Sequence, residues 1–523
     1  MPWGQVSPSV YETGRVVSLA PWLTGHERRI AFLLDTQRTD GGWGLPHDGY
    51  ALVPTLSATE ALLSVLVRAE SPDEEEPAQP QPAEDVADAA ARGLSRLREL
   101  LTGGTWASPP GAAAQPDMPA IELIVPSLVE RINRHLGDLG TAALPRDGLP
   151  LPASMDGTRL ALVRDLLRSG ARPPKKLMHA LEIGGAAAHG FAGTGPESTG
   201  AIGASPAATA AWLGDRAPAD PSTPARWYLE TVAAMHDGVV PVAYPLTVFE
   251  RGWVLSWLSR AGISVPVPPE VVLSLTAPLR AEGTATAAGL PADADTTAGT
   301  LYALALLGAP HPPDPLWNYE TSTHFCTWKG EDGFSTTTNA HVLEAFGEFL
   351  ATGAAARGGD RDVRRYEATI EKVGGWLLEQ QRDDGAWTDR WHASPYYATA
   401  SCALALERFG GAGRGADAAG RARAWILRTQ RPDGSWGRWD GTAEETAYAV
   451  QTLLLTGRPP EPEAVRAAAR GRDALLRGLS MPDGAHPPLW HDKDLYHPSA
   501  IVRAAILAGL HLIETAGTHE NKE

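Results

Sequence analysis

The segment with the clearest potential for chemistry runs from Leu290 to Gly308 and begins LPADADTT. Asp293 and Asp295 lie two residues apart in it, directly before an almost wholly apolar stretch. Asp and Thr favour the start of a helix, so the pattern fits a helix N-cap. It also fits a catalytic acid, because two carboxylates against an apolar wall cannot both ionise cheaply. A carboxyl group that keeps its proton at neutral pH can act as a general acid.

Helices are the elements that must position these side chains. Apolar residues recur at i, i+3, i+4 and i+7 in four long stretches, 51–67, 335–350, 393–410 and 496–514. Many of the apolar stretches end in Gly or run into Pro, as helices commonly do. Sustained alternation of strand type is not found. The sequence therefore predicts an all-α protein built from stacked helical hairpins.

A seven-residue pattern, QxxDGxW, occurs three times, at Gln37–Trp43, Gln381–Trp387 and Gln430–Trp436. The Asp-Gly step predicts a turn, because glycine tolerates positive φ. We expect the Gln to bond the backbone of the next helix and the Trp to cover the apolar face of the hairpin. The first copy lies far from the other two, which predicts two separate helical units.

The composition excludes several classes of protein. The 523 residues carry a formal net charge of −17 at pH 7, so nucleic acid is not an expected partner. Two cysteines, Cys326 and Cys402, are too few for a disulfide scaffold or a cysteine-based metal site. No stretch reaches the ~18 apolar residues of a membrane span, and the N-terminal residues lack a signal-peptide layout. A cytoplasmic protein is expected.

Nearly half of the net charge lies between Glu70 and Asp88, where eight residues are acidic and none is basic. This composition predicts a disordered, solvated loop over 70–88, with an acidic metal-binding strip as the alternative. Residues 516–523 are predicted to form a disordered tail.

The repeats and the DADTT segment together resemble the class II terpene cyclases, which include copalyl-type diphosphate synthases and, more distantly, squalene–hopene cyclases. Blocks similar to that family follow in the family's order over most of the chain: SPSVYET (7–13), IELIVPSL (121–128), YPLTVFERGWVLSWLSRAGI (244–263), STTTNAHVLEAF (335–346), DRWHASPYYATA (389–400), EETAYAVQTLL (444–454) and LWHDKDLY (489–496). The resemblance implies two (α/α) barrels, called β and γ, with the active site between them. It assigns 1–20 to the β domain, 21–245 to an inserted γ domain and 246–515 to the β domain.

The family protonates the terminal alkene of a prenyl diphosphate and keeps the diphosphate intact. The resemblance implies that Asp295 is the acid, that Asp293 tunes it and that Asn339 bonds it. His341 is interpreted as an ordinary core or surface histidine. Thr296 stands where the family's usual DxDD motif has its last Asp, and the DxDTT form resembles cyclases that convert farnesyl diphosphate into drimenyl diphosphate. The alternative is geranylgeranyl diphosphate with a copalyl- or labdane-type product, and the base that removes the final proton stays open.

The chain has 17 Trp beside 8 Phe and 11 Tyr. Aromatic faces can stabilise carbocations in a dry pocket without supplying a nucleophile. The residues expected to line such a pocket are Trp317, Trp328, Phe334, Trp391, Tyr396, Tyr397 and Tyr448.

The diphosphate needs cations, and the resemblance points to Arg390 and Lys493, with Arg503 following them. Glu122 is the carboxylate nearest to the family's magnesium motif. Mg²⁺, bound mainly by the substrate's phosphates, is therefore the expected cofactor. The prenyl diphosphate is the expected binding partner, and the chain is expected to be a monomer or a homodimer.

A function of another class uses similar residues. An (α/α)-barrel protein that binds or cleaves glycans also needs paired carboxylates and Trp platforms. It predicts an open polar groove in place of a closed apolar cavity, and it gives no reason for the ordered blocks.

Overall fold

The computed structural model describes residues 3–70, 83–103, 106, 115–139, 147–218, 220–331, 333–357, 360–411 and 413–520. Helices dominate these ranges, so the predicted all-α class is confirmed. The α-helices are α1 (Val10–Leu19), α2 (His26–Asp35), α3 (Leu52–Glu70), α4 (Ala83–Thr102), α5 (Ile121–Asp138), α6 (Thr158–Arg168), α7 (Pro206–Leu213), α8 (Pro224–Met235), α9 (Thr247–Arg260), α10 (Pro269–Thr276), α11 (Ala294–Leu306), α12 (Thr336–Ala351), α13 (Asp360–Glu379), α14 (Pro395–Phe409), α15 (Arg414–Arg428), α16 (Ala443–Leu455), α17 (Pro462–Arg470), α18 (Arg472–Ser480) and α19 (Ser499–Glu520).

Shorter elements connect these helices. 3₁₀ segments span Lys175–Ala188, Asp314–Tyr319, Ala354–Arg357 and Asp483–Ala485. A small hairpin pairs β1 (Trp490–His491) with β2 (Leu495–Tyr496) in antiparallel register.

The C-terminal half forms a closed (α/α) barrel. Its inner helices α9, α11, α12, α14, α16 and α19 contact one another in that order, and α19 returns to α9. The outer layer consists of α10, α13, α15, α17 and α18. Inner helices such as α11 and α16 are buried on nearly every side, whereas outer helices bury only one stripe.

A second ring precedes it in the sequence. Here α1, α3, α5, the 3₁₀ segment Lys175–Ala188 and α7 contact one another in turn, and α7 closes the ring against α1. The helices α2, α4, α6 and α8 lie outside this ring. These contacts place α1 in the first barrel. The residues before α1 bond to the second barrel, where Ser7 N donates to the carbonyl of His497 and Ser499 N donates to that of Gln5, both at 3.0 Å. The resemblance assigns all of 1–20 to the β domain.

Two predicted disordered segments are partly helical. Residues 71–82 of the acidic segment lie outside the described residues, but Glu70 ends α3 and 83–88 form the first turns of α4. Helix α19 continues to Glu520, so the predicted tail is helical over 516–520, and 521–523 lie outside the described residues.

Two helices are long and apolar enough to cross a membrane by length and composition, Leu52–Glu70 and Ser499–Gly517. The sequence prediction missed them because mean hydropathy tolerates the few polar residues that interrupt each run. Both are inner helices of a barrel, and 72% and 50% of their apolar windows are buried inside the protein.

Each QxxDGxW motif follows an outer helix, and its side chains link that helix to the next outer helix. Each Trp is fully buried and donates from Nε1 to a carbonyl of the helix before it: Leu33 (2.7 Å), Leu377 (2.9 Å) and Ile426 (2.8 Å). Each Gln donates from Nε2 to a carbonyl of the next outer helix, α4, α15 or α17: Ala89 (2.9 Å), Ala418 (2.9 Å) and Ala467 (2.8 Å). The motif therefore acts as a staple of the outer layer.

The motif glycine gives a stability prediction. Gly434 has φ +85°, and a Cβ there would lie 2.3 Å from the carbonyl oxygen of Arg470. Gly411 has φ +81° but open space, and Gly484 has open space without positive φ. We expect Gly411→Ala to lower the free energy of unfolding by about 1–2 kcal/mol and Gly484→Ala by less than about 0.5 kcal/mol. Gly434→Ala should cost clearly more than either, because backbone must move.

Urea unfolding followed by circular dichroism measures the three differences. Equal losses for the variants at Gly434 and Gly411 would show that the contact with Arg470 adds nothing beyond backbone strain.

Candidate active site

The predicted acid pair lies at the N-terminus of α11, and Asp293 is the N-cap of that helix. Its backbone is extended, and its Oδ1 accepts a hydrogen bond from Thr296 N at 2.6 Å. The carboxyl group is also buried. Burial, together with the nearby charge of Asp295, raises the pKa of Asp293 to about 7, although the bond from Thr296 opposes the shift. Asp293 thus caps the helix and also holds a proton near neutral pH.

Thr296 supports this carboxyl group with a hydroxyl chain. Thr296 Oγ1 lies 2.8 Å from Thr286 Oγ1, which donates to Asp293 Oδ2 at 3.4 Å. The class II terpene cyclase motif DxDD has a carboxylate at the position of Thr296. In this chain a neutral hydroxyl group takes that place and forms hydrogen bonds.

His341 contacts the predicted acid directly. Its Nδ1 lies 2.8 Å from Asp295 Oδ1, and the two side chains come from the adjacent helices α12 and α11. The interpretation of His341 as an ordinary histidine is therefore wrong.

Asn339 does not bond the acid, contrary to the prediction. Its amide is held by the backbone of Phe325, at 2.8 and 2.9 Å, and by the carbonyl of Ser335 at 2.8 Å. Two residues along a helix correspond to a rotation of about 200° about its axis, so Asn339 and His341 lie on nearly opposite sides and cannot face the same partner.

The Asp295–His341 pair suits proton transfer. Burial lowers the pKa of His341, but the charge of Asp295 outweighs burial and the net shift is upward. An imidazole N–H donated to Oδ1 leaves Oδ2 to carry the transferable proton. The same hydrogen bond stabilises the carboxylate that remains after the proton has left.

Five rings, which we call the aromatic cluster, lie beside this pair: Phe249, Trp253, Tyr397, Tyr448 and Trp490. The Trp253 ring is 5.0 Å from that of His341, and its Nε1 donates to the Tyr397 hydroxyl at 2.8 Å. Tyr397 lies 4.7 Å from Trp490 and 5.2 Å from Tyr448, and Phe249 lies 4.3 Å from Trp253. Burial raises the pKa of Tyr397 well above its usual value, and the nearby charge of Asp295 adds to the shift.

The cluster contains two predicted lining residues, Tyr397 and Tyr448. The prediction missed Phe249, Trp253 and Trp490, although all three lie in blocks that resemble the family. The match of these blocks to the family is the feature that could have identified them. A single Trp in a sequence cannot be distinguished from an ordinary core residue.

The predicted pair Trp328 and Trp391 lies beside the start of α11. Their rings are 5.1 Å apart, and Trp391 Nε1 donates to Thr327 Oγ1 at 3.3 Å. Thr327 in turn accepts the backbone N–H of Ala294 at 3.0 Å. This pair therefore borders the acid motif.

The three remaining aromatic predictions lie outside the aromatic cluster. Trp317 stacks on Tyr366 with centroids 5.4 Å apart, and Tyr396 contacts Trp425 at 4.6 Å. Phe334 is 47% exposed.

Arg390 is the predicted cation that lies beside the site. Its guanidinium is 5.2 Å over the Trp391 ring. It pairs with Asp117 of the first barrel at 2.8 Å and with Glu331 at 3.5 Å. The side chain therefore joins the two barrels next to the acid motif.

Lys493 and Arg503 are not placed to hold a diphosphate. The Lys493 ammonium is fully buried and pairs with Glu12 and with Glu182 at 2.9 Å. Its remaining donor capacity goes to Ser205 Oγ at 2.8 Å and His179 O at 2.7 Å. Arg503 is exposed on α19 and pairs with Asp483 at 3.4 Å. Both predictions fail because the nearest anions belong to the protein itself.

The described residues do not assemble a protein site for Mg²⁺. Glu122 is partly exposed in the first turn of α5 and pairs with Arg159 at 3.3 Å. No group of three or more His, Cys, Asp or Glu side chains that could hold a metal occurs in the described part of the chain. The prediction for Glu122 therefore finds no support in its surroundings.

Similar proteins connect this geometry to a family. Residues 339–477 match the Squalene-hopene cyclase C-terminal domain. The chain is 44% identical to the ent-copalyl diphosphate synthase of Streptomyces sp. (strain KO-3988), over 97% of this chain and 93% of that protein. The chain belongs to the class II terpene cyclases. This cyclase is also 39% identical to the labda-7,13-dienyl diphosphate synthase of Streptomyces clavuligerus, over 98% of this chain and 90% of that one.

Solved structures agree with this assignment. Ent-copalyl diphosphate synthase from Streptomyces platensis matches with a TM-score of 0.89 and 45% identity, over 98% of the cyclase and 97% of that chain. Abietadiene synthase from Abies grandis, at 15% identity, shares the fold with a TM-score of 0.54, over 98% of the cyclase and 56% of that chain.

The cyclase is therefore an isomerase that performs class II cyclisation of a prenyl diphosphate. The partly buried carboxyl group of Asp295 beside the aromatic cluster suits this chemistry. The glycan-active alternative is set aside.

The raised pKa of Asp293 predicts a pH-dependent stability. An Asp whose pKa is higher in the folded than in the unfolded protein favours folding at low pH, and that contribution is lost as pH rises towards 7. Asn also caps helices well, so Asp293→Asn keeps the cap and removes the titration. We expect the wild type to lose about 3 kcal/mol relative to Asp293→Asn between pH 4 and 7. Urea unfolding at several pH values measures this difference, and a flat difference would contradict the shift.

The Asp295–His341 pair predicts a loss of turnover. Asp295→Asn should lower kcat about 10³-fold, because general acid catalysis is removed while the shape is kept. The control is Asp314→Asn, since Asp314 bonds the Tyr366 hydroxyl at 2.7 Å, away from the aromatic cluster. Steady-state turnover of the prenyl diphosphate is the measurement, and full activity of Asp295→Asn would refute the assignment.

Proposed function

We propose that this cyclase converts geranylgeranyl diphosphate, a C20 substrate, into a copalyl- or labdane-type diphosphate. Relatives 39–44% identical over nearly the whole chain carry names of such products: ent-copalyl, copalyl and labda-7,13-dienyl diphosphate synthase. Their agreement favours the C20 substrate over the C15 substrate suggested by the DxDTT motif.

The hydrogen bond of His341 to Asp295 carries the chemical part of the proposal. The proton on Asp295 is transferred to the terminal alkene, whose π electrons form the new C–H bond. The resulting cation is attacked by the next alkenes of the chain, which closes the rings. Asp295 is left as a carboxylate that the His341 N–H stabilises.

The aromatic cluster supports the following steps. Ring faces attract a carbocation through their quadrupole and offer no atom that would trap it. The buried rings of Trp253, Tyr397 and Trp490 also exclude water from the space beside Asp295. Arg390 lies beside Trp391 but is paired with Asp117 and Glu331, so the diphosphate, which is not cleaved in this reaction, would compete with these carboxylates for its guanidinium.

Farnesyl diphosphate with a drimenyl-type product is the second candidate. The observation that favours it is Thr296, whose hydroxyl bonds Thr286 beneath Asp293 in place of a further carboxylate. The motif resembles the one associated with C15 cyclases.

The two candidates are separated by direct assay. The cyclase is incubated with geranylgeranyl and farnesyl diphosphate separately and in competition, with Mg²⁺ and with a chelator. Products are dephosphorylated and identified by mass spectrometry. We expect a bicyclic C20 alcohol and a kcat/KM for the C20 substrate at least tenfold above that for the C15 substrate. The reverse ratio would establish the C15 candidate, and no cyclic product from either substrate would refute both.

A further inference from the structure

A buried carboxylate, Glu444, lies within the aromatic cluster at the start of α16. It is 2% exposed. Its Oε1 accepts three hydrogen bonds: from Trp490 Nε1 at 2.7 Å, Tyr448 Oη at 3.0 Å and His392 Nε2 at 3.1 Å. Three donors on one oxygen fix the orientation of the carboxylate.

His392 is a donor to Glu444 and has no remaining site for a proton. Its Nδ1 accepts the backbone N–H of Ser394 at 3.0 Å, so its Nε2 carries the hydrogen that points at Glu444. Within this group, Glu444 is therefore the residue with proton-accepting capacity.

The second oxygen of Glu444 is the unusual feature. Oε2 is buried and accepts no hydrogen bond from any residue in the described part of the chain. His497 Nδ1, at 4.0 Å, is the basic atom beside it. Burial raises the pKa of Glu444, but the bond from His392 and the other donors outweigh burial, and the net shift is downward. A buried carboxylate with a free oxygen can accept a proton.

Glu444 and Asp295 lie on the same set of rings. His341, which bonds Asp295, is 5.0 Å from Trp253, and Trp253 is bonded to Tyr397. Tyr397 contacts Trp490 at 4.7 Å, and Trp490 donates to Glu444. The proton donor and this carboxylate therefore border one aromatic surface at separate places.

A path leads from Glu444 towards solvent. The His497 ring stacks on that of His486 with centroids 4.7 Å apart and planes within 3°. His497 is buried, whereas His486 is partly exposed. Burial lowers the pKa of His497 to about 4, so it is neutral at pH 7 and has a nitrogen available to accept a proton.

We propose that Glu444 is the terminal base of the cyclisation and that His497 and His486 carry its proton to solvent. The inference rests on the proposed cyclisation but not on the length of the substrate. In the step, a C–H bond next to the final carbocation breaks and its electron pair forms the product alkene. The proton goes to Glu444 Oε2 and leaves through His497 to water, while Asp295 regains a proton from solvent. One proton enters and one leaves, as an isomerisation requires.

The test compares Glu444→Gln with Glu445→Gln in the full chain. Glu445 is a buried neighbour whose carboxylate is satisfied by Ser394 Oγ at 2.6 Å, Arg438 N at 2.8 Å and Thr442 Oγ1 at 2.8 Å. Each variant receives the prenyl diphosphate that the wild type converts, and the products are separated by mass spectrometry after dephosphorylation. We expect Glu444→Gln to lower the share of the wild-type alkene at least tenfold in favour of water-captured or isomeric cyclic products. Glu445→Gln should keep the wild-type product ratio.

Unchanged product ratios in Glu444→Gln would overturn the proposal, whatever happens to its rate. If that variant does not fold, His497→Phe keeps the stacked ring and removes the proton carrier. We expect it to lower kcat at least fivefold at unchanged KM and unchanged product ratio, and a wild-type kcat would overturn the relay. Absence of cyclic product from the wild type would refute the proposed function itself, so the two failures are distinct.

Discussion

The buried ammonium group of Lys493 is the interaction on which the arrangement of the two barrels depends. It comes from the β1–β2 hairpin and meets Glu12 of α1 and Glu182 of the 3₁₀ segment, both in the first barrel. Burial lowers the pKa of Lys493, but the two carboxylates outweigh burial and raise it. A buried charge is tolerated only when it is paired, and removing one partner typically costs about 3–5 kcal/mol. If the two barrels packed in another relative orientation, these charges would be buried without partners.

The same hairpin connects this ionic group to the chemistry. Trp490 in β1 contacts Tyr397 and donates to Glu444, and His491 Nδ1 lies 2.6 Å from the carbonyl of Arg390. Arg390 itself reaches Asp117 in the first barrel. The aromatic surface and the cation beside the acid are therefore held by the contact that joins the barrels. The Asp295–His341 bond depends only on the packing of α11 against α12 within the second barrel.

Sequence patterns predicted local structure well where one segment contains the whole interaction. The QxxDGxW motif supplies its own turn and staple, and the Gln and Trp bonds are the same at all three copies, although Gln reaches the next outer helix and not the next helix in the sequence. The sequence allows Asp293 to be a helix N-cap or part of a catalytic acid pair. In the structure it caps α11, and its carboxyl group is also buried. Prediction failed where a side chain had a choice of partners. Lys493 matches a basic position of the family, but two carboxylates distant in sequence pair with it. Asn339 and His341 lie two residues apart on α12 and face opposite sides of the helix, and only His341 reaches Asp295.

The sequence by itself determined the helical class, the stapled outer layers and the acid motif, because each follows from residue spacing within one segment. Its resemblance to a family also indicated protonation-initiated cyclisation. Only the tertiary structure decided which histidine faces Asp295, which rings surround it and which cations are already paired within the protein. It also brought Glu444 beside Trp490 and His497, residues more than forty positions away. These contacts depend on the distances between helices. Residue spacing within one segment does not fix those distances, which are set only when the helices pack into barrels.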